Sequence, residues 1–274
     1  MSRRRMRIIG VTAVAALGAG AVASIPASAP AASVITMSGS TSVAPLASLL
    51  IRAYNRKFPT RAHFRLAQGG SDVGVADVAA GRVSIGNSSR DPKGSDPSGL
   101  VFNRIAKDAI CVITNPRNSV PNMSQSTIQA IFSGRVRSWS DVPGARSHGS
   151  INLVVRTAAS GTQDAFQKIF MGSASVSGAA AQKASNGLVQ QAVQSDPNAV
   201  GYVSLDFVRG TSPSAYNGVG CNLRNAKSGS YGGVRSFYMV TKGPARCAVR
   251  TFIGWVQGSK AANRIVGTHW VPLH

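Results

Sequence analysis

The 274-residue sequence contains no glutamate, and its nine acidic residues are all aspartate. Aromatic residues make up only 6% of the chain, and three cysteines and four histidines are scattered without a Cys-x-x-Cys or His-x-x-x-His spacing. Because such spacings bring metal ligands together, a zinc or di-metal site is not expected, and no cofactor is predicted. The shortage of aromatic rings also argues against a platform on which nucleic-acid bases stack.

Basic residues are abundant by contrast. The chain has 30 Lys and Arg against nine acids, which gives a formal net charge of +21. Such a charge raises the question of nucleic-acid binding, but the basic residues are spread along the chain without a run of five. We expect at most weak, salt-dependent retention of nucleic acid and no specific recognition. The apolar fraction of 43% is enough for a sizeable core in one large domain or two small ones.

The N-terminal segment has the order of a secretory signal peptide. Four arginines within the first seven residues precede an apolar stretch at residues 8–25, and small residues and prolines follow. This order predicts a leader over residues 1–32 that is cleaved between residues 23 and 33. A transmembrane anchor is the alternative, for which the apolar stretch is short. Cleavage leaves a charge of about 21 − 4 = +17, and we expect a soluble, secreted protein in the periplasm or outside the cell.

Export places the three cysteines in an oxidising environment, where disulfides form. Cys111 lies in the apolar segment 109–113, which is typical of a buried strand, and we expect an inert core thiol there. Cys221 and Cys247 both lie in the C-terminal part of the chain and are the candidate disulfide. Two free thiols at these positions are the alternative.

Strand and helix patterns alternate along the chain. One helix begins near Val43 and places Leu46, Leu50 and Tyr54 on a single apolar face. Strands that alternate with helices predict an α/β fold with mostly parallel sheets. The predicted strands cover residues 34–37, 64–67, 83–86, 109–114, 151–155, 199–205 and 235–241, and the predicted helices lie near residues 43–54, 71–80, 126–132, 163–170 and 252–256.

A Gly/Ser/Thr turn between a strand and a helix recurs three times, at residues 39–42, 70–72 and 160–162. Each turn places unpaired backbone N–H groups and small hydroxyls at a helix N-terminus, where the helix dipole favours an anion. Ser and Thr are also ordinary helix caps, so one such turn alone is weak evidence. Three together, one of them shortly after Arg156, indicate a site for a tetrahedral oxyanion.

These turns resemble the phosphate-binding proteins of phosphate ABC transporters, in the class II periplasmic-binding-protein superfamily. The resemblance extends from about residue 34 to residue 273, and its motifs occur in the family's order. They are Gly-Ser-Thr-Ser at 39–42, Gly-Ser-Asp at 70–72, Ile-Gly-Asn-Ser-Ser-Arg at 85–90, Trp-Ser-Asp at 139–141, Ser-Gly-Thr at 160–162 after Arg156, and Ala-Val-Gly-Tyr-Val-Ser at 199–204.

The resemblance implies a two-lobed receptor with a ligand cleft at the hinge. The first lobe would comprise residues 33–113 and a return segment at 233–274, and the second lobe residues 114–232. Each lobe would be a mostly parallel sheet flanked by helices. The implied ligand is inorganic phosphate and the implied partner is an ABC transporter permease; the protein would be a monomer and not an enzyme.

The family's ligand contacts carry over to matching positions. Arg156 would give charge-assisted hydrogen bonds to phosphate oxygens. Small residues of the turns would supply hydroxyls and backbone N–H groups. The implied phosphate ligands are Thr41, Ser42, Ser71, Ser89, Arg156, Ser160, Gly161 and Thr162.

Two positions depart from the family pattern. Some members have an Asp where this chain has Ser89, and that carboxylate accepts the proton of monohydrogen phosphate and repels sulfate. Others have an Asp at the position of Ala158 that pairs with the site arginine. Selectivity for phosphate over sulfate is therefore open at the sequence level, and Arg156 should be more available to an anion. Asp72 is expected to favour a helix start, with a ligand role as the alternative.

Two other functions remain as alternatives. The same site would suit a receptor for a related oxyanion such as sulfate or molybdate. The second alternative is a secreted phosphatase-like enzyme that uses the same anion site, with Ser160 as its nucleophile. The chain contains no Gly-x-Ser-x-Gly, and no histidine lies near Ser160 in the sequence to act as its base.

Overall fold

The computed structural model describes residues 33–273. The predicted leader, residues 1–32, lies outside the described residues. Among the helices of residues 33–273, none has the length and apolar character needed to cross a membrane.

Eleven strands and eight α-helices lie within residues 33–273. The strands are β1 (Ser33–Gly39), β2 (Ala62–Leu66), β3 (Ile85–Ser88), β4 (Leu100–Thr114), β5 (Asn122–Met123), β6 (Asn152–Arg156), β7 (Ala181–Lys183), β8 (Ala199–Ser204), β9 (Ser212–Pro213), β10 (Ala215–Tyr216) and β11 (Val234–Lys242). The helices are α1 (Ala44–Lys57), α2 (Ser71–Ala79), α3 (Gln125–Phe132), α4 (Gly161–Phe166), α5 (Asn186–Ser195), α6 (Leu223–Ser228), α7 (Cys247–Gly258) and α8 (Lys260–His269). A π-helical turn, Gln167–Met171, continues α4.

Two groups of parallel strands share one sheet, of order β2-β1-β3-β11-β4-β8-β6-β7, with β9 also on β4. β1 is parallel to β2 and β3, and β6 is parallel to β7 and β8. The long strands β4 and β11 are antiparallel to their neighbours and join the groups. β4 pairs with β11 up to Ala109 and with β8 from Ile110 onward. We call the β1–β2–β3–β11 side the first half-sheet and the β6–β7–β8 side the second half-sheet.

Helices cover both faces of the first half-sheet. Alternate residues of a strand point to opposite faces, and β11 follows this rule. Phe237 and Met239 pack in one core with apolar residues of α1, α7 and α8, whereas Tyr238 and Val240 pack against α2. The helix predicted near Val43 is confirmed, since Leu46, Leu50 and Tyr54 are buried in the first of these cores.

Aromatic rings fill one face of the second half-sheet. Tyr202 of β8 stacks on Phe166 of α4 with ring centroids 3.8 Å apart, and Phe132 of α3 packs against both rings. Val189 and Val193 of α5 occupy the opposite face. This packing fixes α4 and α5 against the sheet, and with them the two helix starts described below.

The cysteine pairing differs from the prediction. Cys111 and Cys221 form the disulfide, with Cα atoms 5.6 Å apart, and Cys247 is an exposed free thiol at the start of α7. The predicted Cys221–Cys247 bridge is therefore wrong. The segment after β10 packs Cys221 into the core beside Cys111 of β4, whereas Cys247 belongs to the helical layer of the first half-sheet. A buried strand position does not exclude a bridge when another segment covers that strand.

We expect the Cys111→Ser/Cys221→Ser variant to lose about 3 kcal/mol of unfolding free energy, because the bridge closes a loop of 110 residues and so restricts the unfolded chain. Urea unfolding of the oxidised protein measures this difference. Cys247→Ser is the matched control and should unfold like the parent. Equal destabilisation by the two changes would contradict the assigned bridge.

Candidate functional site

The candidate site lies where carboxyl ends of parallel strands meet helix starts. β1 ends at Gly39 before α1, β3 ends at Ser88, and β6 ends at Arg156 before α4. Ligands of open α/β sheets bind at this edge. The unpaired N–H groups and positive dipole ends of the helices make the edge suitable for an anion.

Five hydroxyl-bearing residues from both half-sheets meet at this edge and form what we call the hydroxyl cluster. Ser40 Oγ donates to Ser89 Oγ at 2.9 Å, and Ser71 Oγ lies 3.3 Å from the same atom. Ser42 Oγ lies 3.0 Å from Thr162 Oγ1 across 120 residues of sequence. Each of the five is at most 3% exposed. The cluster thus concentrates groups that donate hydrogen bonds where water has little access.

Arg235 of β11 joins the two sides of the hydroxyl cluster. Its Nη1 donates to Thr162 Oγ1 at 2.9 Å and to Ser89 Oγ at 3.2 Å, and its Nη2 donates to Ser42 Oγ at 2.9 Å. The prediction did not include this arginine. Its sequence signal was slight: a single Arg at the start of an otherwise apolar predicted strand.

Asp108 of β4 balances the charge of Arg235. Nε and Nη2 of Arg235 donate to Asp108 Oδ2 at 3.1 and 2.9 Å, and Ser204 Oγ donates to Oδ1 at 2.9 Å. Both side chains are buried. Burial lowers the pKa of Arg235 and raises the pKa of Asp108, and in each case the partner opposes the shift. The pair places a cation at the cluster with its counter-ion behind it.

Arg156, one of the predicted phosphate ligands, is the second buried cation at this edge. Its Nε and Nη2 donate to the carbonyl oxygens of Lys183 and Ala184 at 3.2 and 2.9 Å, while Nη1 lies 3.4 Å from Thr162 Oγ1. Burial lowers the pKa of Arg156 to about 10, so it stays charged at neutral pH. Carbonyl groups fix its orientation, and no ion pair of residues 33–273 involves it; Ala158 stands where some family members have an Asp.

The start of α4 comes very close to the start of α2. Ser160 caps α4 by accepting from the N–H groups of Thr162 and Gln163 at 3.1 and 3.4 Å. A Cβ on Gly161 would collide with Ser71 Oγ and lie 2.9 Å from Ser89 Oγ. A Cβ on Gly70, which has φ +103°, would also collide, because it would lie 2.6 Å from Ala159 O. Glycine at both positions lets the two helix starts meet.

A fourth helix start, that of α5, was missed by the prediction. Asn186 Nδ2 donates to Thr41 Oγ1 at 3.2 Å and to Ser42 Oγ at 2.8 Å, and its Oδ1 accepts from Ser204 N at 3.1 Å. The signal was the Ser185 cap before it, which is the same kind of turn as the three that were recognised.

The structure brings all eight predicted site residues to this edge, although their role as phosphate ligands stays a prediction. Ser42, Ser71, Ser89 and Thr162 belong to the hydroxyl cluster, and the others border it. All eight are buried: Thr41, Ser42, Ser71, Ser89, Arg156, Ser160, Gly161 and Thr162.

Asp72 faces a network of ion pairs beside the cluster. It accepts from Arg90 Nε at 2.6 Å, and Arg90 also pairs with Asp96. Lys93 connects this network to the second half-sheet through Asp164, with Nζ and Oδ2 2.6 Å apart. The carboxylate of Asp72 is therefore engaged by Arg90, which agrees with an electrostatic role at a helix start.

No histidine of residues 33–273 forms a hydrogen bond to Ser160 Oγ. Ser160 Oγ serves as a helix cap, and the three described histidines, His63, His148 and His269, are all exposed. Within residues 33–273, no group of three His, Cys or Asp side chains is placed to hold a metal ion. What the arrangement offers is hydrogen-bond donors and two cations.

Gly161→Ala is expected to weaken anion binding about 100-fold, because its methyl group would separate the starts of α2 and α4. The cost corresponds to about 3 kcal/mol, the range found for overpacking a buried contact. Calorimetric titration measures the change in affinity. Gly178→Ala, where a Cβ meets no atom within 4 Å, is the control; equal affinity of the two variants would contradict the close contact.

The chain is similar to known families and solved structures over most of its length. A model of the PBP superfamily domain matches residues 24–260. The phosphate-binding protein PstS of Bacillus subtilis is 27% identical over 237 residues, covering 85% of this chain and 78% of that protein. Two solved structures were also similar. One, from Clostridium perfringens, is described as a phosphate ABC transporter substrate-binding protein and holds bound phosphate; it is 30% identical, with a TM-score of 0.83 and coverage of 88% of this chain and 100% of that chain.

The other is an ABC-type phosphate transport receptor from Vibrio cholerae. It is 25% identical, with a TM-score of 0.70 and coverage of 86% of this chain and 99% of that chain. The similarity to these two structures shows that the chain has the fold of solved phosphate-binding proteins, as the resemblance implied. The chain belongs to the PBP superfamily, in the family of phosphate-binding proteins of phosphate ABC transporters.

Proposed function

We propose that the protein is an extracytoplasmic receptor that captures inorganic phosphate and delivers it to an ABC transporter permease. The observation that carries this proposal is the meeting of Arg235, Arg156 and the hydroxyl cluster at a shared edge of helix starts. The named functions of the relatives support the same ligand. The protein would work as a monomer and without catalysis.

The proposed cleft separates a first lobe, residues 33–113 and 233–274, from a second lobe, residues 114–232. Contacts between Ser42 and Thr162, and between Ser42 and Asn186, join groups from opposite sides. Asp72 N also donates to Ala159 O at 3.1 Å. A phosphate held among these groups would contact both lobes at once and so stabilise the closed arrangement.

Charge and hydrogen bonding both suit a phosphate dianion. Arg156 and Arg235 supply two positive charges and Asp108 one negative charge, and the dipoles of the helix starts add to the positive side. Hydroxyls that now bond to each other can rotate to donate to phosphate oxygens. Buried donors of this kind bind an anion strongly because the surrounding dielectric is low.

The choice between phosphate and sulfate depends on a proton acceptor. The carboxylate of Asp108 is occupied by Arg235 and Ser204, and Ser89 stands where other family members have an Asp. Hydroxyls can accept as well as donate, so Ser89 is the group we assign to the proton of monohydrogen phosphate. We therefore propose phosphate as the ligand, and its affinity must be compared with that of sulfate.

A thermal-shift series with phosphate, arsenate, sulfate and molybdate tests this function. A ligand that binds the folded state raises the melting temperature in proportion to the logarithm of its concentration above Kd. We expect the largest shift with phosphate and a smaller one with sulfate. No shift with phosphate at millimolar concentration would contradict the proposal, and turnover of a chromogenic phosphate ester that is lost in Ser160→Ala would favour an enzyme.

A further inference from the structure

One face of the protein carries many cations. Helices α1, α7 and α8 form the outer layer over one face of the first half-sheet, since they share one apolar core. Seven exposed basic residues belong to this layer and to the turn after α1, and we call them the basic helical face. They are Arg52, Arg56, Lys57, Arg61, Arg250, Lys260 and Arg264.

Helix geometry directs most of these side chains outward. Arg52 and Arg56 are one turn apart in α1 and lie opposite the buried positions Leu50 and Tyr54. Lys260 and Arg264 repeat the same spacing in α8, opposite Ala262 and Val266. The cations therefore form rows on the surface of rigid elements.

The seven cations are not neutralised by ion pairs within residues 33–273; Asp206, which does reach this layer, pairs with His269 at the end of α8. Residues 44–71 and 207–274 contain neither Asp nor Glu. Among the ion pairs of residues 33–273, none involves a member of the basic helical face. Four of the nine aspartates, Asp72, Asp96, Asp108 and Asp164, are instead engaged by cations near the hydroxyl cluster.

The face is also poor in exposed apolar groups. The large apolar side chains that are exposed in residues 33–273 are Val34, Val73, Val101 and Leu188, none of which lies in α1, α7 or α8. A surface that inserts into a bilayer needs apolar residues beside its cations. Lys57 and Arg61 instead lie against the ring of Phe58, at 5.4 and 4.2 Å from its centroid. This favours a partner recognised by charge alone.

We infer that the basic helical face binds a linear polyanion of the cell envelope, a polymer with phosphodiester repeats. Rows of cations one helical turn apart present several positive charges to an extended chain of negative charges. Release of the counter-ions of such a polymer drives binding to clustered Lys and Arg. For an exported receptor without a membrane-spanning helix in its described part, this contact would keep the protein near the cell surface.

The face and the phosphate site are separate. α1 begins beside the hydroxyl cluster, but Arg56 and Lys57 lie in its last turn, about 18 Å along the axis at 1.5 Å per residue. The apolar core that includes Leu50 and Tyr54 lies beneath the cations. Changes on the face should therefore leave phosphate affinity intact. The inference rests on the proposed function only for export, so its failure and that of phosphate binding are measured separately.

The test is binding of the mature protein to soluble poly(glycerol phosphate), followed by fluorescence anisotropy at 50–200 mM NaCl (a range of about fourfold, wide enough to define a salt slope). The face variant is Arg52→Gln/Arg56→Gln/Arg250→Gln/Arg264→Gln. We expect it to bind at least about tenfold more weakly at low salt, with the slope of log K against log salt reduced by about three.

The matched control removes the same charge elsewhere: Arg117→Gln/Arg135→Gln/Arg146→Gln/Arg224→Gln, all exposed and outside the face. It should keep most of the affinity and of the slope. Equal losses in both variants would overturn the inference, since net charge alone would then explain binding. Stronger retention of the parent on vesicles of anionic lipid, or on duplex DNA, than on the polymer would overturn the assigned partner.

Discussion

Arg235→Met is expected to lower phosphate affinity about 10³-fold, the size of effect seen when one member of a buried charged contact is truncated. Its guanidinium donates to Ser42, Ser89 and Thr162 and so reaches both sides of the hydroxyl cluster. Methionine keeps much of the volume and removes every donor. Calorimetry at pH 7 measures the loss, and unchanged affinity would exclude Arg235 from the site.

Asp108→Asn should lower the stability of the protein but, unlike Arg235→Met, should not lower its affinity for phosphate. Removing one partner of a buried ion pair leaves the other charge uncompensated, which costs about 3–5 kcal/mol of stability. Arg235 is then less neutralised, so phosphate should bind at least as tightly as in the parent. Urea unfolding with and without phosphate separates the two effects. Without phosphate, the variant should have a lower free energy of unfolding than the parent. Added phosphate should raise that free energy by at least as much as it does in the parent.

The double variant Asp108→Asn/Arg235→Met completes the cycle. It buries neither charge, so most of the stability lost in Asp108→Asn should return, whereas phosphate affinity should stay as low as in Arg235→Met. A double variant as unstable as Asp108→Asn would show that the carboxylate acts through Ser204 rather than through Arg235. Recovery of stability without recovery of binding would identify the pair as a charged ligand contact with its counter-ion.

Local sequence patterns predicted several of the helices and strands that hold the site residues. The apolar face of α1 was readable because its buried residues recur at helical spacing. The first nine residues of β4 were not predicted as strand, because Arg104, Lys107 and Asp108 interrupt the apolar pattern. Those residues are strand because β11 pairs with them from more than 120 positions away in the sequence. Distant pairing of this kind leaves no local signal.

The same limit explains what the sequence missed in the site. The three recognised turns are local: a hydroxyl and a helix start lie within a few residues of each other. Arg235 and Asp108 become a site only when β4 and β11 pair, with Asp108 opposite Arg235 in the register. The wrong cysteine pairing has a similar origin. Cys247 lies near Cys221 in the sequence, whereas the packing of the folded chain brings Cys111 next to Cys221.

Arg156→Ala is the second change expected to have a large effect, a loss of about 10²–10³ in phosphate affinity, or roughly 3–4 kcal/mol for a buried charge-assisted contact. In the structure the backbone carbonyls of Lys183 and Ala184 hold the guanidinium in place. Its third donor, Nη1, is directed to Thr162 Oγ1 of the hydroxyl cluster, beside which we propose that phosphate binds. The change should cost less stability than Asp108→Asn, because no ion pair of residues 33–273 involves Arg156 and so no described carboxylate is left buried and unpaired.

Arg156→Lys separates charge from geometry. The ammonium keeps the positive charge, but a single nitrogen cannot donate to the two carbonyls and to the anion with the planar geometry of a guanidinium. We expect an affinity between those of Arg156→Ala and the parent, measured by calorimetry beside the exposed control Arg135→Ala, which should bind like the parent. If Arg156→Ala also binds like the parent, Arg235 alone supplies the charge, and the family's arginine has been replaced in this chain by one from β11.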